Sequence, residues 1–359
     1  MASISLELSL MSNGKECPKR YILVTGVTGA GKSTFIANAM SPQDPTPQIG
    51  RGLKSKTSHI QEFPIGKFLD GYDVILVDMP GFDDTYKDSI TILIQVVTWL
   101  DELCQAKKEL SGIIHLHRIS DNRVSGSGVY ALKLLESIMG EAGTKNIMLV
   151  ANRWRGGEEE EEEATAYKEL KEDEDFWAPL ICNGAKTDRY GFYTSKSLES
   201  EASAKEKARE AARRIIAEVL KNNVEITQFE RETVEDHKPY GETAICSTVR
   251  SHLFGWENAV EKKVKSADET ADKYKETDPE RSARFREKAN EARREKERIR
   301  RQWALLAKFL NGLGYLLGAL AGKFGSKLMR DGVLCTFEVL AQYAEGNSLD
   351  IESHPGLDT

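Results

Sequence analysis

The residue types best suited to chemistry lie in one short stretch near the amino end of the chain. Residues 22–34 read ILVTGVTGAGKST, an aliphatic and β-branched run followed by G-x-x-x-x-G-K-S, and residues 35–40 predict a helix. Glycines let the backbone curl so that successive N–H groups point at an anionic oxygen, and the positive end of the following helix strengthens this attraction. The order strand, glycine loop and helix therefore predicts a phosphate-binding loop.

The polar side chains of this loop have predicted roles. Lys32 can reach the outer phosphates as a point charge, and the Ser33 hydroxyl can take one position on Mg²⁺. A glycine-rich turn that matches by chance is the alternative, and the Lys-Ser-Thr run and the flanking elements argue against it. The predicted nucleotide-binding residues are Gly26, Thr28, Gly29, Ala30, Gly31, Lys32, Ser33, Thr34 and, from the motif described next, Gly81.

A second motif, D-x-x-G, points to the same metal and nucleotide. Residues 72–78 form a buried-strand pattern that ends in Asp78, and Gly81 completes the motif. At the carboxyl end of a strand beside the glycine loop, Asp78 would hold Mg²⁺ through water, and the N–H of Gly81 would bond the terminal phosphate. Two independent signals thus predict one site.

The segment between the two motifs predicts a nucleotide-sensing loop. Three prolines within residues 42–47 end the first helix, and the loop leads into an edge strand at His59–Phe63. In a nucleotide switch, a hydroxyl on such a loop reaches Mg²⁺ only while the terminal phosphate is present. Thr57 is the predicted third metal ligand, with Ser55 and Ser58 as competitors and an ordinary strand role for Thr57 as the alternative.

Two positions depart from what fast, guanine-specific hydrolysis requires. Phe82 follows Gly81, where a polar side chain would position the attacking water, so we expect slow hydrolysis unless a partner, a second copy or residues 83–85 contribute. Arg155 stands at or near the place where a base-reading loop carries an aspartate that accepts two hydrogen bonds from guanine. An arginine cannot accept those bonds, which leaves the choice between guanine and adenine open.

The next αβ units carry further candidate groups. His115 and His117 share one face of the strand at 111–117, but without a third ligand in view we prefer a structural role over zinc binding. Arg118 and Arg123, on the loop after that strand, are candidates for phosphate or partner contacts, or are solvated loop charges. The remaining predicted elements are helix Val129–Met139, strand Asn146–Ala151, an apolar segment at 176–180, a last short strand at Arg189–Thr194 and helix Ala202–Leu220.

Composition excludes several classes of protein. The 359 residues carry 50 Lys and Arg against 57 Asp and Glu, a formal charge of −7, so no global basic field favours nucleic acid. The 5 cysteines have no disulfide or metal-ligand spacing, and residues 1–19 contain no apolar run of signal-peptide length. The sequence predicts a reduced, cytoplasmic protein.

Four segments together resemble a known family: GVTGAGKST (Gly26–Thr34), VDMPGFDDT (Asp78 within it), SGIIHLHRISDNR (Ser111–Arg123) and FWAPL (Phe176–Leu180). They are similar to septin-like, immunity-associated-type GTPases common in filamentous fungi. The resemblance covers about residues 20–245. It implies a Ras-like α/β P-loop fold, Mg²⁺-dependent GTP binding and homodimers that pair across the nucleotide face.

The C-terminal part has a different, densely charged composition with apolar residues at helical spacing. Two helices interrupted near Asp278 can pair as a hairpin or form a coiled coil with another chain. Residues 303–322 are nearly apolar and of membrane-spanning length, with Gly314, Gly318 and Gly322 on one face and a basic flank before them. Lys308 and Asn311 lie inside this segment, so docking on protein is the alternative to membrane contact.

These observations predict four regions: a disordered arm at 1–19, a P-loop domain at 20–245, a helical hairpin or coiled coil at 246–345 and a disordered tail at 346–359. They predict α/β architecture, a mostly parallel sheet flanked by helices, followed by an α-helical extension. The predicted function is a GTP-binding, slowly hydrolysing switch, with GTP and Mg²⁺ as ligands. A catalytically weak nucleotide-bound scaffold and an ATP-using P-loop enzyme are the alternatives.

Overall fold

A computed structural model describes residues 17–40, 59–67, 71–81, 89–121, 126–154, 159–191 and 201–320 of the chain. They fall into two compact units. The first is drawn from the segments up to Pro80, 103–122 and 142–225, and the second from 81–102, 123–141 and the chain from Ile226 onward.

The first unit contains a six-stranded sheet in the order β2-β3-β1-β4-β5-β6. All neighbours pair in parallel except β2, which runs antiparallel to β3 at one edge, as predicted for an edge strand. Pro64 lies inside β2 opposite Ile75, and the register shifts between Pro64 and Lys67. The strands are β1 (Lys19–Gly26), β2 (Gln61–Lys67), β3 (Asp73–Asp78), β4 (Glu109–Arg118), β5 (Ile147–Asn152) and β6 (Lys186–Arg189).

The helices follow the predicted order. They are α1 (Lys32–Ala39), α2 (Ser89–Gln105), α3 (Gly126–Gly143, interrupted at Gly140), α4 (Glu160–Glu172), α5 (Ala178–Cys182), α6 (Glu201–Leu220), α7 (Ala244–Lys273) and α8 (Pro279–Leu320). Short helical turns occupy Thr144–Asn146, Gln228–Glu230, Arg231–Glu235 and Tyr240–Glu242.

The core of the first unit forms because its strands are apolar on both faces, as a central parallel sheet requires. Helices α1 and α6 pack against each other and against one face of the sheet. On the other face, Trp177 just before α5 is buried and contacts His117 of β4, which agrees with the predicted packing role of segment 176–180. The first face buries, among others, Ile22, Val24, Phe35, Ile36, Ile114, Leu116, Ile215 and Ile216.

One predicted strand is misplaced. The last strand was expected at Arg189–Thr194, but β6 ends at Arg189. Tyr190 turns inward as a buried residue, and Gly191 adopts a left-handed conformation (φ +97) that leaves the sheet. The aromatic and β-branched residues after Arg189 therefore misled the prediction, because Gly191 sets the strand boundary.

The second unit contains most of α2 and α3 and the hairpin of α7 and α8. Contacts pair in reverse order along the two hairpin helices: Ala271 with Ser282, Asp268 with Arg293 and Glu261 with Lys296. The two helices therefore pack antiparallel. Asp278 accepts a hydrogen bond from the N–H of Arg281 and begins α8 with Pro279 as its first residue, which explains the predicted interruption.

The helical spacing predicted for the hairpin matches its burial. Val260, Ala271, Ala289 and Ile299 are nearly inaccessible to solvent, and the interspersed charged residues are mostly exposed. In the predicted apolar segment, Leu306 and Phe309 are also buried, whereas residues 321–322 lie outside the described ranges. Within those ranges, no helix combines the length and the apolar character needed to cross a membrane.

Candidate functional site

The glycine loop joins β1 directly to α1. Gly26, the last residue of β1, has φ +139, and a Cβ there would lie 2.3 Å from the carbonyl oxygen of Leu116. Only glycine fits this approach of two backbones. The Lys32 ammonium donates to the carbonyl oxygens of Gly26 and Val27 at 3.0 and 3.1 Å, so the loop folds back over the lysine that follows it.

The two predicted metal-binding residues of the first unit meet beside this loop. Asp78 ends β3, which pairs with β1 so that Asp78 lies opposite Val24. The Ser33 hydroxyl donates to Asp78 Oδ2 at 3.0 Å, and Asp78 is 1 % exposed. Parallel pairing of β1 and β3 thus brings together a hydroxyl and a carboxylate that are 45 positions apart in the sequence.

Asn152, the last residue of β5, ties the glycine loop to the segment that follows β5. Its Nδ2 donates to the carbonyl oxygen of Ala30 at 2.7 Å, and its Oδ1 accepts from the N–H of Arg153 at 2.6 Å. A Cβ on Gly31 would lie 2.5 Å from the Asn152 amide nitrogen, and Gly31 has φ +98. The side chain of Asn152 therefore fills the space that a residue larger than glycine would need.

A pocket of about 460 Å³ opens beside the glycine loop. This volume lies within the range of roughly 300–1,000 Å³ that small-molecule sites occupy. One wall is firmly held, because the Asn38 amide donates to the Tyr190 hydroxyl at 2.8 Å and the Tyr190 ring packs edge-on against Phe35. The described lining consists of Gly31, Thr34, Asn38, Ser120, Asn152, Arg153, Trp154, Tyr190, Gly191 and Ala208.

Arg118 lies next to the glycine loop. Its Nη1 is 3.3 Å from the position that a Cβ on Gly29 would take, and its Nε donates to Asp121 at 2.9 Å. The salt bridge with Asp121 orients a cation beside the loop. A phosphate or partner contact of Arg118 stays a prediction, and the other predicted arginine, Arg123, lies outside the described residues.

The two histidines of β4, His115 and His117, are buried. Burial, with further contributions from His117 and Lys32, lowers the pKa of His115 to about 3, and its Nδ1 lies 3.0 Å from the Thr25 hydroxyl. Burial also lowers the pKa of His117, whose ring contacts Trp177. No cluster of three or more His, Cys, Asp or Glu side chains able to hold a metal occurs among the described residues.

Several predicted site residues are not placed beside the loop by the structure. Thr57, with Ser55 and Ser58, lies outside the described residues, as do Phe82 and Arg155. Gly81 is described as buried but belongs to the second unit, so its role as a phosphate contact stays a prediction.

Comparison with known proteins agrees with this geometry. Residues 21–153, which span the glycine loop, Asp78 and Asn152, match the model of the family described as 50S ribosome-binding GTPase. This part of the chain has the fold of a P-loop G domain. A comparison with curated proteins gives no match.

Among solved structures, the G domain is similar to Toc33 from Arabidopsis thaliana in complex with GDP and Mg²⁺. The identity is 12%, the alignment covers 61% of this chain and 89% of that one, and the TM-score is 0.41. Era from Aquifex aeolicus, bound to GDP and AlF₄⁻, is 13% identical over 58% of each chain, with a TM-score of 0.38. SelB from Methanococcus maripaludis is 14% identical over 59% of this chain and 35% of that one, with a TM-score of 0.33.

The sequence did not reveal most of the pocket of the G domain. Asn152 begins the segment at 152–155 where a base-reading loop was expected, but no role was predicted for Asn152 itself, for Tyr190 or for Gly191. A signal was present, because Asn152 is the last residue of β5 and Gly191 lies two residues after the end of β6. In parallel sheets such ends line one crevice, so both positions could have been placed there.

Proposed function

We propose that this protein binds GTP with Mg²⁺ and acts as a slowly hydrolysing nucleotide switch. The contact between the Ser33 hydroxyl and Asp78 beside a glycine loop carries the proposal. A buried carboxylate next to a helix-starting Lys-Ser pair is costly unless a cation or hydrogen bonds compensate it. A magnesium nucleotide supplies such a cation and places anionic oxygens against the N–H groups of the loop.

The donor set fits Mg²⁺. Magnesium prefers oxygen ligands, uses one or two carboxylates or hydroxyls from the protein and keeps several waters. Ser33 and Asp78 provide one hydroxyl and one carboxylate oxygen within 3.0 Å of each other. When bound, Mg²⁺ neutralises charge on the phosphate oxygens. Thr57 is the proposed third ligand.

The residues of the chain perform the rest of the binding. The backbone N–H groups of the loop and the start of α1 hold the phosphates, as helix N-termini do. Lys32 is anchored by two loop carbonyls and supplies positive charge there. Asn152 donates a hydrogen bond to the carbonyl oxygen of Ala30, so the loop is ordered before the nucleotide binds. Gly81 is the proposed contact of the terminal phosphate.

Slow hydrolysis is proposed because Phe82 follows the D-x-x-G motif and can transfer no proton. A homodimer across the nucleotide face, suggested by the septin-like, immunity-associated-type resemblance, would supply what Phe82 cannot. The hairpin of α7 and α8 would carry oligomerisation or membrane contact in a cytoplasmic protein. Phe82 also favours the second candidate, a nucleotide-bound scaffold without useful catalysis. Arg155 favours the third candidate, an ATP-using enzyme.

Titration of the purified full chain with fluorescent GTP and ATP, with and without Mg²⁺, tests the proposal. We expect Mg²⁺-dependent binding of GTP that Lys32→Ala weakens at least tenfold, since a charge-assisted contact to phosphate contributes about 1.5–3 kcal/mol. Lys186→Ala is the matched control. Lys186 is the first residue of β6, and its ammonium pairs with Glu218 of α6 rather than with the glycine loop.

The outcomes separate the candidates. Absence of Mg²⁺-dependent binding to either nucleotide would refute nucleotide binding. Tight GTP binding with no hydrolysis at any protein concentration would leave the scaffold. Preference for ATP would select the third candidate.

A further inference from the structure

The described lining of the pocket beside the glycine loop contains no acidic residue. Guanine is commonly distinguished from adenine at its Watson–Crick edge, where N1–H and the 2-amino group are both donors and need an acceptor such as a carboxylate. Among the described lining residues, the charged side chain is that of Arg153, a donor. Arg153 thus offers donors, from the described lining, to a base edge that presents acceptors.

Arg153 has an unusual backbone. Its φ is +63, in the left-handed region that residues other than glycine rarely adopt. The conformation is held by Asn152 Oδ1, which accepts from the N–H of Arg153 at 2.6 Å. Strained backbone of this kind concentrates at binding sites, where it directs a side chain. The Arg153 residue is exposed, and in the described part of the chain no hydrogen bond or ion pair engages its guanidinium.

The residue after Arg153 fixes this wall of the pocket. Trp154 is 2 % exposed, and its indole N–H donates to the carbonyl oxygen of Ala151 at 2.8 Å. The Arg189 guanidinium packs between the rings of Trp154 and Tyr167, at 4.6 and 4.8 Å from their centroids. With Asn152 on one side and Trp154 on the other, the backbone of Arg153 is held between two anchored neighbours, which fixes the point from which its side chain extends.

Arginine has a well-matched partner in guanine. Its two parallel donors fit the O6 and N7 acceptors of guanine, whereas adenine presents N7 beside the donor N6 amino group, which opposes an arginine. We propose that Arg153 selects guanine by donating to O6 and N7. This inference rests on the proposed function and names the residue that sets its base specificity.

Competition against fluorescent GTP on the purified full chain tests the inference with four nucleotides. GTP and ITP share O6 and N7 and differ in the 2-amino group, so we expect their affinities to agree within a few-fold. ATP and 7-deaza-GTP each lack part of the O6 and N7 acceptor pair. We expect both to bind about 5- to 150-fold more weakly, the range that corresponds to the 1–3 kcal/mol of a bidentate pair.

Arg153→Gly is the informative variant, because glycine adopts the left-handed backbone without strain and only the side chain is lost. We expect it to bind GTP and ITP about 5- to 150-fold more weakly and ATP and 7-deaza-GTP with nearly unchanged affinity, so that the preference among the four nucleotides is lost. Arg153→Lys keeps the charge but not the fork and should restore the preference only in part. Arg20→Ala, which breaks the pair with Glu109 at the opposite end of β1 and β4, should change none of the ratios.

Two results would overturn the inference while leaving the proposed function intact. One is a loss of affinity for ITP with normal affinity for 7-deaza-GTP, which would show reading of the Watson–Crick edge. The other is an unchanged set of ratios in Arg153→Gly. Failure of the unmodified chain to bind either GTP or ATP with Mg²⁺ would refute the proposed function itself.

Discussion

Replacing Asn152 by aspartate exchanges one NH₂ group for an oxygen and leaves the shape of the side chain unchanged. The hydrogen bond from Asn152 Nδ2 to the carbonyl oxygen of Ala30, 2.7 Å long, would be lost, and two oxygens would face each other instead. A net hydrogen bond contributes about 1 kcal/mol, and a buried carbonyl left unsatisfied costs about 1–3 kcal/mol more. We expect the free energy of unfolding to fall by about 2–4 kcal/mol.

The same contact organises the glycine loop, so the substitution should also weaken nucleotide binding. We expect at least a tenfold loss of affinity for fluorescent GDP, equivalent to about 1.4 kcal/mol. Urea unfolding followed by circular dichroism measures the first effect and titration measures the second. Acidification adds a further check, because a protonated aspartic acid regains a donor. A penalty of about 2–4 kcal/mol raises the pKa of the aspartate by about 1.5–3 units from about 3.9, so the deficit relative to the unmodified chain should shrink as the pH falls from about 7 to about 4.

Asn146 provides a matched control at the other end of β5. Its Nδ2 donates to the carbonyl oxygen of Asn223 at 3.0 Å, a contact of the same type away from the pocket. Asn146→Asp should lower stability comparably and leave affinity for GDP unchanged once the fraction folded is accounted for. Equal urea midpoints for Asn152→Asp and the unmodified chain, or equal losses of affinity in both variants, would show that Asn152 does not hold the loop.

Two further predictions concern pH and the apolar segment. Burial lowers the pKa of His115 from its ordinary value of 6.5 to about 3 in the folded chain, so the unfolded chain binds the extra proton between these two pH values. Stability therefore falls as the pH decreases through this window, by about 1.4 kcal/mol per pH unit. Urea unfolding at several pH values in this range measures the slope. Asparagine does not titrate between pH 3 and 6.5, so His115→Asn should remove the contribution of His115 to the slope. An equal slope in the variant and the unmodified chain would show that His115 does not contribute to it. Docking of residues 303–322 on protein, favoured by the buried Leu306 and Phe309, predicts that the full chain does not float with anionic liposomes. Flotation that disappears on truncation after Leu310 would establish lipid contact instead.

The sheet and the phosphate-binding part of the site were predictable from sequence because their signals are local. Strand patterns at 22–26 and 73–78, each followed by its motif, indicate both elements and their carboxyl ends. Since parallel neighbours align their carboxyl ends, the meeting of Ser33 and Asp78 follows from the pattern. The hairpin was similarly readable, because apolar spacing and Asp278-Pro279 mark two helices and the break between them.

The pocket was less predictable because it depends on contacts between distant segments. Nothing local to Tyr190 shows that its hydroxyl meets Asn38, 152 positions away. β6 stops at Arg189, and the backbone of Gly191 then lies close to the side chain of Asn152. The β-propensity of the residues after Arg189 gives no information about this contact. Arg153 is likewise inconspicuous in sequence, since its left-handed backbone depends on the adjacent Asn152 side chain.

The proline inside β2 has a consequence for self-association. An edge strand exposes unpaired amides that can recruit a strand from another molecule, and Pro64 has no amide hydrogen to offer. The register shift that follows it further distorts the outer rim, while β6, the strand at the opposite rim, is only 4 residues long. Strand-by-strand polymerisation through these two edges of the sheet is thereby discouraged.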